Sequence, residues 1–370
     1  MSLAPWLQRQ LASLRQQRSH ALLLAGPPGL GQYELALALA QVWLCERPGV
    51  QGACGVCSSC HAIGVRTHPD LFVLMPELLA LELGWPLDPK TQDKIDKKEA
   101  KPSQFIRVDP VRAALAFSQI TASRAAAKVV LIHPANRLNA ESANALLKTL
   151  EEPPPALRFI LSTEAAHTLP ATIRSRCLTQ QMAWPGEAEA LAWLAQTAAP
   201  GTPLPQLQAA WRASGGRPEA ARQWLARGLD ATLWASLPKR IAAGDFAPLR
   251  EWPLALQMEL LQQLCHDLMA AAVAAEPRFF AAGDLPPTPP LTALSAWQRD
   301  LQQAARTLEH PFQAALLQEA WALRARQALA AGALGAPGAG LGRGSSVTRS
   351  DSSPRPSPAP GAPSALHSRP

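Results

Sequence analysis

The sequence has no run of 18 or more apolar residues, and its first 21 residues contain no apolar signal-peptide core. A transmembrane helix needs about 20 consecutive apolar residues, and a secretory signal peptide needs an apolar region of about 7–15. We therefore expect no membrane partner and a cytoplasmic location. The same 21 residues space Trp6, Leu7, Leu11 and Leu14 as one face of an amphipathic helix.

Charged side chains are also scarce, at 17% of the 370 residues against 48% hydrophobic residues. This balance excludes wholesale disorder and allows a sizeable core, which a chain of this length would divide into two or three domains. The formal net charge is +7, but residues 332–370 carry four Arg and one Asp, which leaves +4 for the rest of the chain. That excess is only a weak indication of nucleic-acid binding.

Three short apolar segments are typical of buried strands: "HALLLAG" (20–26), "KVVLIH" (128–133) and "RFILST" (158–163). Helical spacing follows the first of them at 32–47. The segment "NAESANALLKTLEE" (139–152) predicts a helix that is capped at Asn139 and ended by Pro153. Strands that alternate with helices predict an α/β fold with a parallel sheet.

From about residue 185 the strand-like runs disappear, and Leu, Ala and Trp recur at helical intervals. This part is predicted to be all-helical, with its tryptophans packing between helices. Residues 332–370 contain no Phe, Trp or Tyr, so we expect a disordered tail. Residues 77–105 form a polar, charged insertion that is predicted to be a surface loop.

Residues 26–33 resemble a phosphate-binding loop whose most important side chain is missing. "GPPGLGQY" (26–33) keeps the glycine spacing of the pattern G-x-x-x-x-G-K-[ST], through Gly26 and Gly31 with Gly29 between them. Gln32 stands where the pattern has Lys, and Tyr33 stands where it has Ser or Thr. The motif alone leaves three readings open: a coincidental loop, a damaged nucleotide site, or an ATPase module with another use.

Four of the six cysteines are clustered with the spacing C-x8-C-x2-C-x2-C, at Cys45, Cys54, Cys57 and Cys60. Four thiolates at this spacing can surround one tetrahedral ion, and they leave no open position for catalysis, so we predict a structural zinc. An iron–sulfur cluster or four unrelated thiols are the alternatives. His61 and His68 lie nearby but are left out of the predicted ligand set. Cys177 and Cys265 stand alone and are expected to be ordinary buried thiols.

The order of the motifs carries a family resemblance. The glycine loop, the four cysteines, "ANALLKTLEEPP" (143–154) and "IRSRC" (173–177) follow one another, with "THPD" (67–70) and "IRVDPVR" (106–112) between them. From about residue 5 to about 330 this pattern resembles the delta-prime subunits of bacterial DNA polymerase III clamp loaders, a family of AAA+ proteins. The insertion and the tail fall outside the resemblance.

The resemblance implies a RecA-like AAA+ domain over 1–165 with a zinc module at 45–60 and the insertion at 77–105. A helical lid over 166–230, a helical collar domain over 231–331 and the tail over 332–370 would follow. It also implies partners: gamma or tau ATPase subunits and a delta subunit in a hetero-pentameric ring. That ring would place the sliding clamp on primed DNA.

Against this background the glycine loop predicts no ATP hydrolysis and no bound nucleotide. Gln32 carries no charge for the phosphates, and Tyr33 is too bulky to be the small hydroxyl that binds Mg²⁺. The strand that should end in two acidic residues ends in His133 and Pro134. A sensor arginine of the lid would fall at Glu219, with Arg217 two positions too early. We expect the glycines to be kept for steric reasons.

The resemblance also gives Arg176 a role as an arginine finger, which stabilises charge on the γ-phosphate of ATP held by a neighbouring subunit. The alternative for Arg174 and Arg176 is a surface position in local salt bridges, and Arg174 is the weaker candidate finger. Two other functions stay open, a divergent NTPase and a zinc-module DNA-binding protein. The second is disfavoured because only Arg47 and Arg66 lie near the cysteines.

Overall fold

The computed structural model describes residues 3–50, 52–123, 127–307 and 313–330. The predicted disordered tail at 332–370 lies outside these ranges. None of the helices in the described ranges is long and apolar enough to cross a membrane. The described chain consists of an α/β part, which ends near residue 182, and a helical part that follows it.

Five parallel strands form the sheet in the order β2-β3-β4-β1-β5: β1 Ala21–Ala25, β2 Leu71–Leu74, β3 Lys128–Ile132, β4 Leu157–Thr163 and β5 Leu178–Gln181. The interior strand β1, between β4 and β5, is buried along its whole length, since helices cover both faces of the sheet. The three strands predicted from apolar runs are confirmed as β1, β3 and β4. Strands β2 and β5 lie at the two edges of the sheet and have four residues each. The sequence of β5 is polar.

Eight helices accompany the sheet: α1 Pro5–Leu14, α2 Gln32–Leu44, α3 Ser58–Gly64, α4 Glu77–Leu83, α5 Pro89–Asp96, α6 Val108–Gln119, α7 Ala140–Glu151 and α8 Ala171–Arg174. The amphipathic N-terminal helix is confirmed, because α1 buries the four apolar side chains of its predicted face. The predicted cap of α7 is also confirmed. The side chain of Asn139 accepts a hydrogen bond from the backbone N–H of Ser142 at 2.7 Å.

The prediction that residues 77–105 form a surface loop is wrong. They contain α4 and α5, and the carboxylate of Asp88 caps α5 by accepting hydrogen bonds from the N–H groups of Lys90 and Thr91. Helix α5 buries none of its residues, so its polar composition reflects a solvated helix. Composition alone does not separate a solvated helix from a loop.

Seven helices make up the second part: α9 Glu187–Thr197, α10 Leu204–Ala213, α11 Pro218–Ala226, α12 Ala231–Ala242, α13 Leu254–Ala272, α14 Leu291–Arg306 and α15 Ala314–Ala330. The all-helical prediction is confirmed for the described residues. Tryptophans pack between these helices as expected: the Trp224 ring lies 5.6 Å from Trp234 and 5.4 Å from Trp252. Trp184 is an exception, with 47% of its surface exposed.

The predicted domain limit at residue 165 falls before β5. Residues 178–181 pair with β1 in a parallel register, so the α/β part continues through them. Because β5 has the sequence "LTQQ", it carries no apolar run that would have marked it as a strand. The predicted limit between lid and collar falls at Asp230, whose carboxylate caps α12, and this division stays a prediction.

Candidate functional site

The glycine loop lies between β1 and α2, as the phosphate-loop pattern predicts. Gly29 and Gly31 have φ angles of 88° and 91°, in the left-handed region that favours glycine. Gly31 is also the N-cap of α2, which begins at Gln32. The backbone therefore has the strand–turn–helix form that could hold an anion, and the side chains around it decide its use.

Each glycine of the loop is in close contact with another element. A Cβ on Gly26 would lie 2.8 Å from that of Met182, directly after β5, and a Cβ on Gly29 would lie 2.9 Å from that of Ala220 in α11. At Gly31 the clash would be with Leu7 of α1, at 2.6 Å. The glycines are thus required by packing, in agreement with the steric reason that we expected.

Gln32 turns back into the loop and is only 4% exposed. Its side-chain amide donates hydrogen bonds to the carbonyl oxygens of Gly26 at 2.8 Å and Pro27 at 2.7 Å. A lysine at this position of an ATPase would carry positive charge toward the phosphates. Here the side chain is neutral and its donors are used by the loop itself.

Tyr33 anchors the insertion. Its hydroxyl accepts a hydrogen bond from the indole N–H of Trp85 at 2.6 Å, and its ring lies 5.2 Å from the ring of His133. Burial raises the pKa of Tyr33, so the phenol stays protonated at neutral pH. The residue that replaces the metal-binding hydroxyl therefore fastens the segment between α4 and α5 to the loop.

His133 follows β3, where the pattern of an ATPase has its acidic pair. Its Nδ1 lies 2.7 Å from the hydroxyl of Ser162, the next strand's residue at this edge of the sheet. Burial lowers the pKa of His133 to about 4, which keeps the imidazole neutral at pH 7. This position therefore offers neither a carboxylate for Mg²⁺ nor one to activate water.

A cavity of about 500 Å³ lies beside the loop, and carboxylates dominate its charged lining: Glu34, Glu82, Glu164 and Glu219 face only Arg137 and Arg222. Four acidic and two basic groups give a formal excess of two negative charges. Burial raises the pKa values of Glu34 and Glu164, as expected for carboxylates that lack full hydration. Arg222 already donates to Glu219 at 2.7 Å. The cavity is therefore electrostatically unfavourable for a polyphosphate.

Helix α11, which lies in the predicted lid, is hydrogen-bonded directly to the loop. The backbone N–H of Glu219 donates to the carbonyl oxygen of Gly29 at 3.0 Å. Arg217, two positions before the expected sensor site, forms an ion pair with Glu259 of α13 at 3.0 Å and does not line the cavity. The first turn of α11 is thus in direct contact with the glycine loop.

The four clustered cysteines bring their sulfur atoms within 4.8 Å of one another. The Sγ–Sγ distance is 3.8 Å between Cys45 and Cys57 and 4.0 Å between Cys54 and Cys60. A tetrahedral ion with metal–sulfur bonds of about 2.3 Å separates its ligands by about 3.8 Å, whereas a disulfide bond is about 2.05 Å long. The group can therefore hold a metal ion and is not a pair of disulfides.

Backbone N–H groups point at these sulfur atoms. Cys54 N–H donates to Cys45 Sγ at 3.3 Å, and the N–H groups of Cys57 and Cys60 donate to the preceding cysteine's sulfur at 3.4 Å. The N–H of Cys60 is the main cause that lowers the pKa of Cys57 to about 6. Burial raises the pKa of Cys60 to about 12. Such donors stabilise thiolates, the form in which cysteine binds metals.

The predicted ligand set agrees with this geometry. His61 and His68 are not part of the metal-binding group among the described residues, and the Nδ1 of His68 accepts a hydrogen bond from the N–H of Asp70 at 3.0 Å. Cys177 and Cys265 lie apart from the cluster as expected, and burial raises the pKa of both thiols to about 12.

Arg176 lies between α8 and β5 with 29% of its side chain exposed. Its guanidinium forms an ion pair with Glu151 at the end of α7 and donates to the carbonyl oxygen of Thr172 at 2.7 Å. In the single chain it is therefore in a local salt bridge, and its use as an arginine finger stays a prediction. Arg174 is exposed at the end of α8.

Known proteins with a similar sequence belong to one assembly. A family model described as "DNA polymerase III, delta subunit" matches residues 3–185. DNA polymerase III subunit delta' of Yersinia pestis is 34% identical over 276 residues, which cover 72% of either chain. The chain belongs to the DNA polymerase III delta' family. The delta' subunit of Pseudomonas aeruginosa is 39% identical over 227 residues, 61% of this chain and 62% of that protein, so the matched segment spans less than two thirds of its length.

The chain is also similar in sequence to subunit tau of DNA polymerase III. Escherichia coli subunit tau is 33% identical over 159 residues, 43% of this chain and 21% of tau. Among solved structures, a gamma subunit-related protein of Thermotoga maritima has a TM-score of 0.44 and 17% identity, over 87% of this chain and 99% of that one. The five-stranded parallel sheet followed by helices is the fold that this delta' family member adopts.

Sequence reasoning identified the substituted positions of this delta' chain but missed their new contacts. Tyr33 and Trp85 are 52 residues apart, and nothing in either segment indicated that they would meet. The acidic cavity was missed as well, because its carboxylates come from separate elements. Only Glu34 directly follows a predicted site residue.

Proposed function

We propose that this chain is a non-hydrolysing delta' subunit of a DNA polymerase III clamp loader. Together with gamma or tau ATPase subunits and a delta subunit it would form a hetero-pentameric ring, in the cytoplasm, that places the sliding clamp on primed DNA. The similarity to delta' and tau subunits supports this proposal. The observation that carries the non-hydrolysing role is Gln32, whose amide bonds to the loop that an ATPase would use for phosphate.

A fixed lid supports the same role. In an ATPase subunit, movement of the lid would follow the nucleotide that lies between lid and loop. Here the lid is held to the loop by the Glu219–Gly29 hydrogen bond and to α13 by the Arg217–Glu259 pair. Such a subunit serves as a stator, against which ATP-driven subunits move.

Arg176 would act in trans on the ATP of a neighbouring ATPase subunit. A guanidinium at the γ-phosphate stabilises the charge that develops during hydrolysis. The surface position of Arg176, directly before the edge strand β5, supports this use, since a side chain must reach out of its own subunit to serve another.

The four cysteines would hold a structural zinc ion. The sulfur spacing, the inward N–H groups and the absence of a fifth protein ligand in the described part of the chain support zinc in a closed tetrahedral site. When bound, the ion would link the end of α2 to the start of α3, and no step of ATP hydrolysis would involve it.

The collar contact would use the outer face of α15. Its exposed apolar residues include Leu316, Ala320, Leu323 and Ala330, at steps of four, three and seven, and the exposed residue at the intervening position is the polar Gln327. Leu316 and Leu323 are 62% and 56% exposed, while Trp321, Ala325 and Leu329 face the interior. This spacing is the seam of a helix–helix contact, so we propose that a collar helix of a neighbouring ring subunit covers it.

The test is reconstitution with gamma or tau and delta subunits, followed by assays of DNA-stimulated ATP hydrolysis and clamp loading. Arg176→Ala should lower both by about tenfold, because one of several fingers is lost. Arg176→Lys should be almost as defective, since a point charge does not reproduce the planar fork. Arg174→Ala is the matched control.

Ring assembly and the unfolding midpoint should stay at the wild-type level in all three variants. If Arg176→Ala assembles normally with both activities unchanged, the finger assignment is wrong. Micromolar Mg²⁺-dependent binding of a nucleotide analogue by the isolated chain would instead support a divergent NTPase.

A further inference from the structure

The carboxylate of Glu151 and the guanidinium of Arg176 join two elements that are 25 residues apart in sequence. Glu151 is the last residue of α7, and Arg176 follows α8. A carboxylate at the C-terminal end of a helix is unfavourable for the helix dipole. The carboxylate of Glu151 therefore does not stabilise α7 through the helix dipole. Its ionic partner is Arg176, the predicted finger.

The contacts occupy most of the donors of Arg176. Of its five N–H groups, one on Nη2 donates to Glu151 and those on Nη1 are directed at the Thr172 carbonyl at 2.7 Å and the Ser175 hydroxyl at 3.4 Å. The Nε atom is buried and has no acceptor among the described residues. A phosphate is bound most strongly by two parallel N–H groups of one guanidinium edge. In this arrangement no edge has both N–H groups accessible.

The ion pair is nevertheless easy to open. The side chains of Arg176 and Glu151 are 29% and 48% exposed, so water can replace either partner. An exposed ion pair of this kind contributes little to folding stability. A phosphate that bears a higher negative charge than a carboxylate can therefore displace Glu151 without disturbing the fold.

We infer that Glu151 competes for the finger. Its carboxylate binds the guanidinium of Arg176, and the γ-phosphate of the neighbour's ATP must displace that carboxylate. This inference rests on the proposed function of Arg176. It assigns Glu151 the role of a competitor that acts through Arg176 and touches no nucleotide. The exchange moves no proton and breaks no covalent bond; one ionic contact of the guanidinium replaces another.

The experiment uses Glu151→Gln in the reconstituted clamp loader, with DNA-stimulated ATP hydrolysis measured over a range of ATP concentrations. Removing the competing charge should lower KM for ATP by about two- to fivefold, the range expected for an exposed ion pair, and leave kcat unchanged. Glu152→Gln, the exposed neighbour that follows α7, is the matched control and should behave as wild type. In the Arg176→Ala background Glu151→Gln should have no effect, because no guanidinium remains to be released.

Three results would overturn the inference and leave the proposed finger in place. A lower kcat in Glu151→Gln would mean that the carboxylate positions the finger for catalysis. An unchanged KM for ATP in Glu151→Gln would mean that the Glu151–Arg176 ion pair opens without a cost to ATP binding. An equal change of KM in Glu152→Gln would mean that the effect comes from net charge alone. If Arg176→Ala alone leaves hydrolysis unchanged, the proposed finger fails and the inference fails with it. A defect in Arg176→Ala with no change in Glu151→Gln removes the inference alone.

Discussion

The side-chain amide of Gln32 donates to the carbonyl oxygen of Gly26 at 2.8 Å, across the turn that would hold phosphate in an ATPase. Because this contact stays within the loop, Gln32→Ala should leave the ATPase rate of the reconstituted complex within about twofold of wild type. We expect no larger change in the ATPase rate because the lost side chain carries no charge that could act on phosphate. The measurement is DNA-stimulated phosphate release at saturating ATP. A tenfold loss, about 1.4 kcal/mol of barrier, would show that a nucleotide uses this loop.

Restoring the motif provides a second comparison. Gln32→Lys combined with Tyr33→Thr returns the charge and the small hydroxyl, yet His133 still occupies the end of β3 and the lid still sits on Gly29. The isolated double variant should therefore show no ATPase activity above background. Activity in this variant would mean that the two side chains alone account for the silent site.

The close packing of α11 against Gly29 predicts that a larger residue at this position strongly lowers stability. In Gly29→Ala the new methyl group meets the Cβ of Ala220 at 2.9 Å, at a residue with φ of 88°. A left-handed alanine costs about 1–2 kcal/mol, and overpacking adds about 1–3 kcal/mol, so the free energy of unfolding should fall by roughly 2–5 kcal/mol. Denaturant unfolding of the isolated chain measures this difference.

Gly186→Ala is the matched control for that prediction. Gly186 precedes α9 with a φ of −67°, and a Cβ there would meet nothing within 4 Å. Its free energy of unfolding should change by less than about 1 kcal/mol, since only the preference for Gly over Ala at the N-cap of α9 is lost. Equal effects at the two glycines would contradict direct packing of the lid on the loop.

The parts of the fold that sequence predicted are those fixed by local pattern. Strands β1, β3 and β4 are apolar because they are covered on both faces, and Asn139 caps α7 by contacts within its own turn. The edge strand β2 has the apolar sequence "LFVL" but is not among the predicted strands, and the edge strand β5 lacks the apolar signal. Strand β5 is held by its pairing with β1, a long-range feature that "LTQQ" does not encode locally.

The site divides in the same way. The identities of Gln32, Tyr33 and His133 suffice to predict the loss of ATP chemistry, since each lacks a group that the reaction needs. The orientation of these three side chains depends on contacting residues that are brought near only in the folded chain. Trp85 comes from an insertion whose polar composition suggested a loop, and Ala220 comes from the lid.

The cysteine cluster predicts one metal ion per chain. Cys57→Ser should lose the metal and lower the stability of the α/β part by several kcal/mol, because metal binding is coupled to folding. Elemental analysis of the purified protein should find zinc in the wild type. Substitution of that zinc by Co²⁺ should give the absorption of tetrahedral thiolate coordination. Cys177→Ser, outside the cluster, should keep a full complement of metal. Iron together with sulfide in the wild type would indicate an iron–sulfur cluster instead of zinc. A wild type without metal would exclude both the zinc ion and the cluster.

The outer face of α15 gives the last prediction. Leu323 is 56% exposed on a helix whose other face already packs inward through Trp321 and Ala325, so its side chain contributes little to the folding of the single chain. Leu323→Glu should therefore leave the unfolding midpoint near that of wild type.

In the ring the same change would bury a carboxylate within an apolar helix–helix seam, where an unpaired charge is strongly unfavourable. Native mass spectrometry of the reconstituted mixture should then show the pentamer reduced by at least about tenfold, since burial of such a charge costs more than about 1.4 kcal/mol. Leu204→Glu is matched in chemistry and in exposure, also 56%, but lies at the start of α10, and it should assemble normally. Normal assembly of Leu323→Glu would mean that a different surface of the helical part joins the neighbouring subunits. A loss of assembly in both variants would point to added charge rather than to the seam, because the two leucines share their exposure and differ only in the helix that carries them.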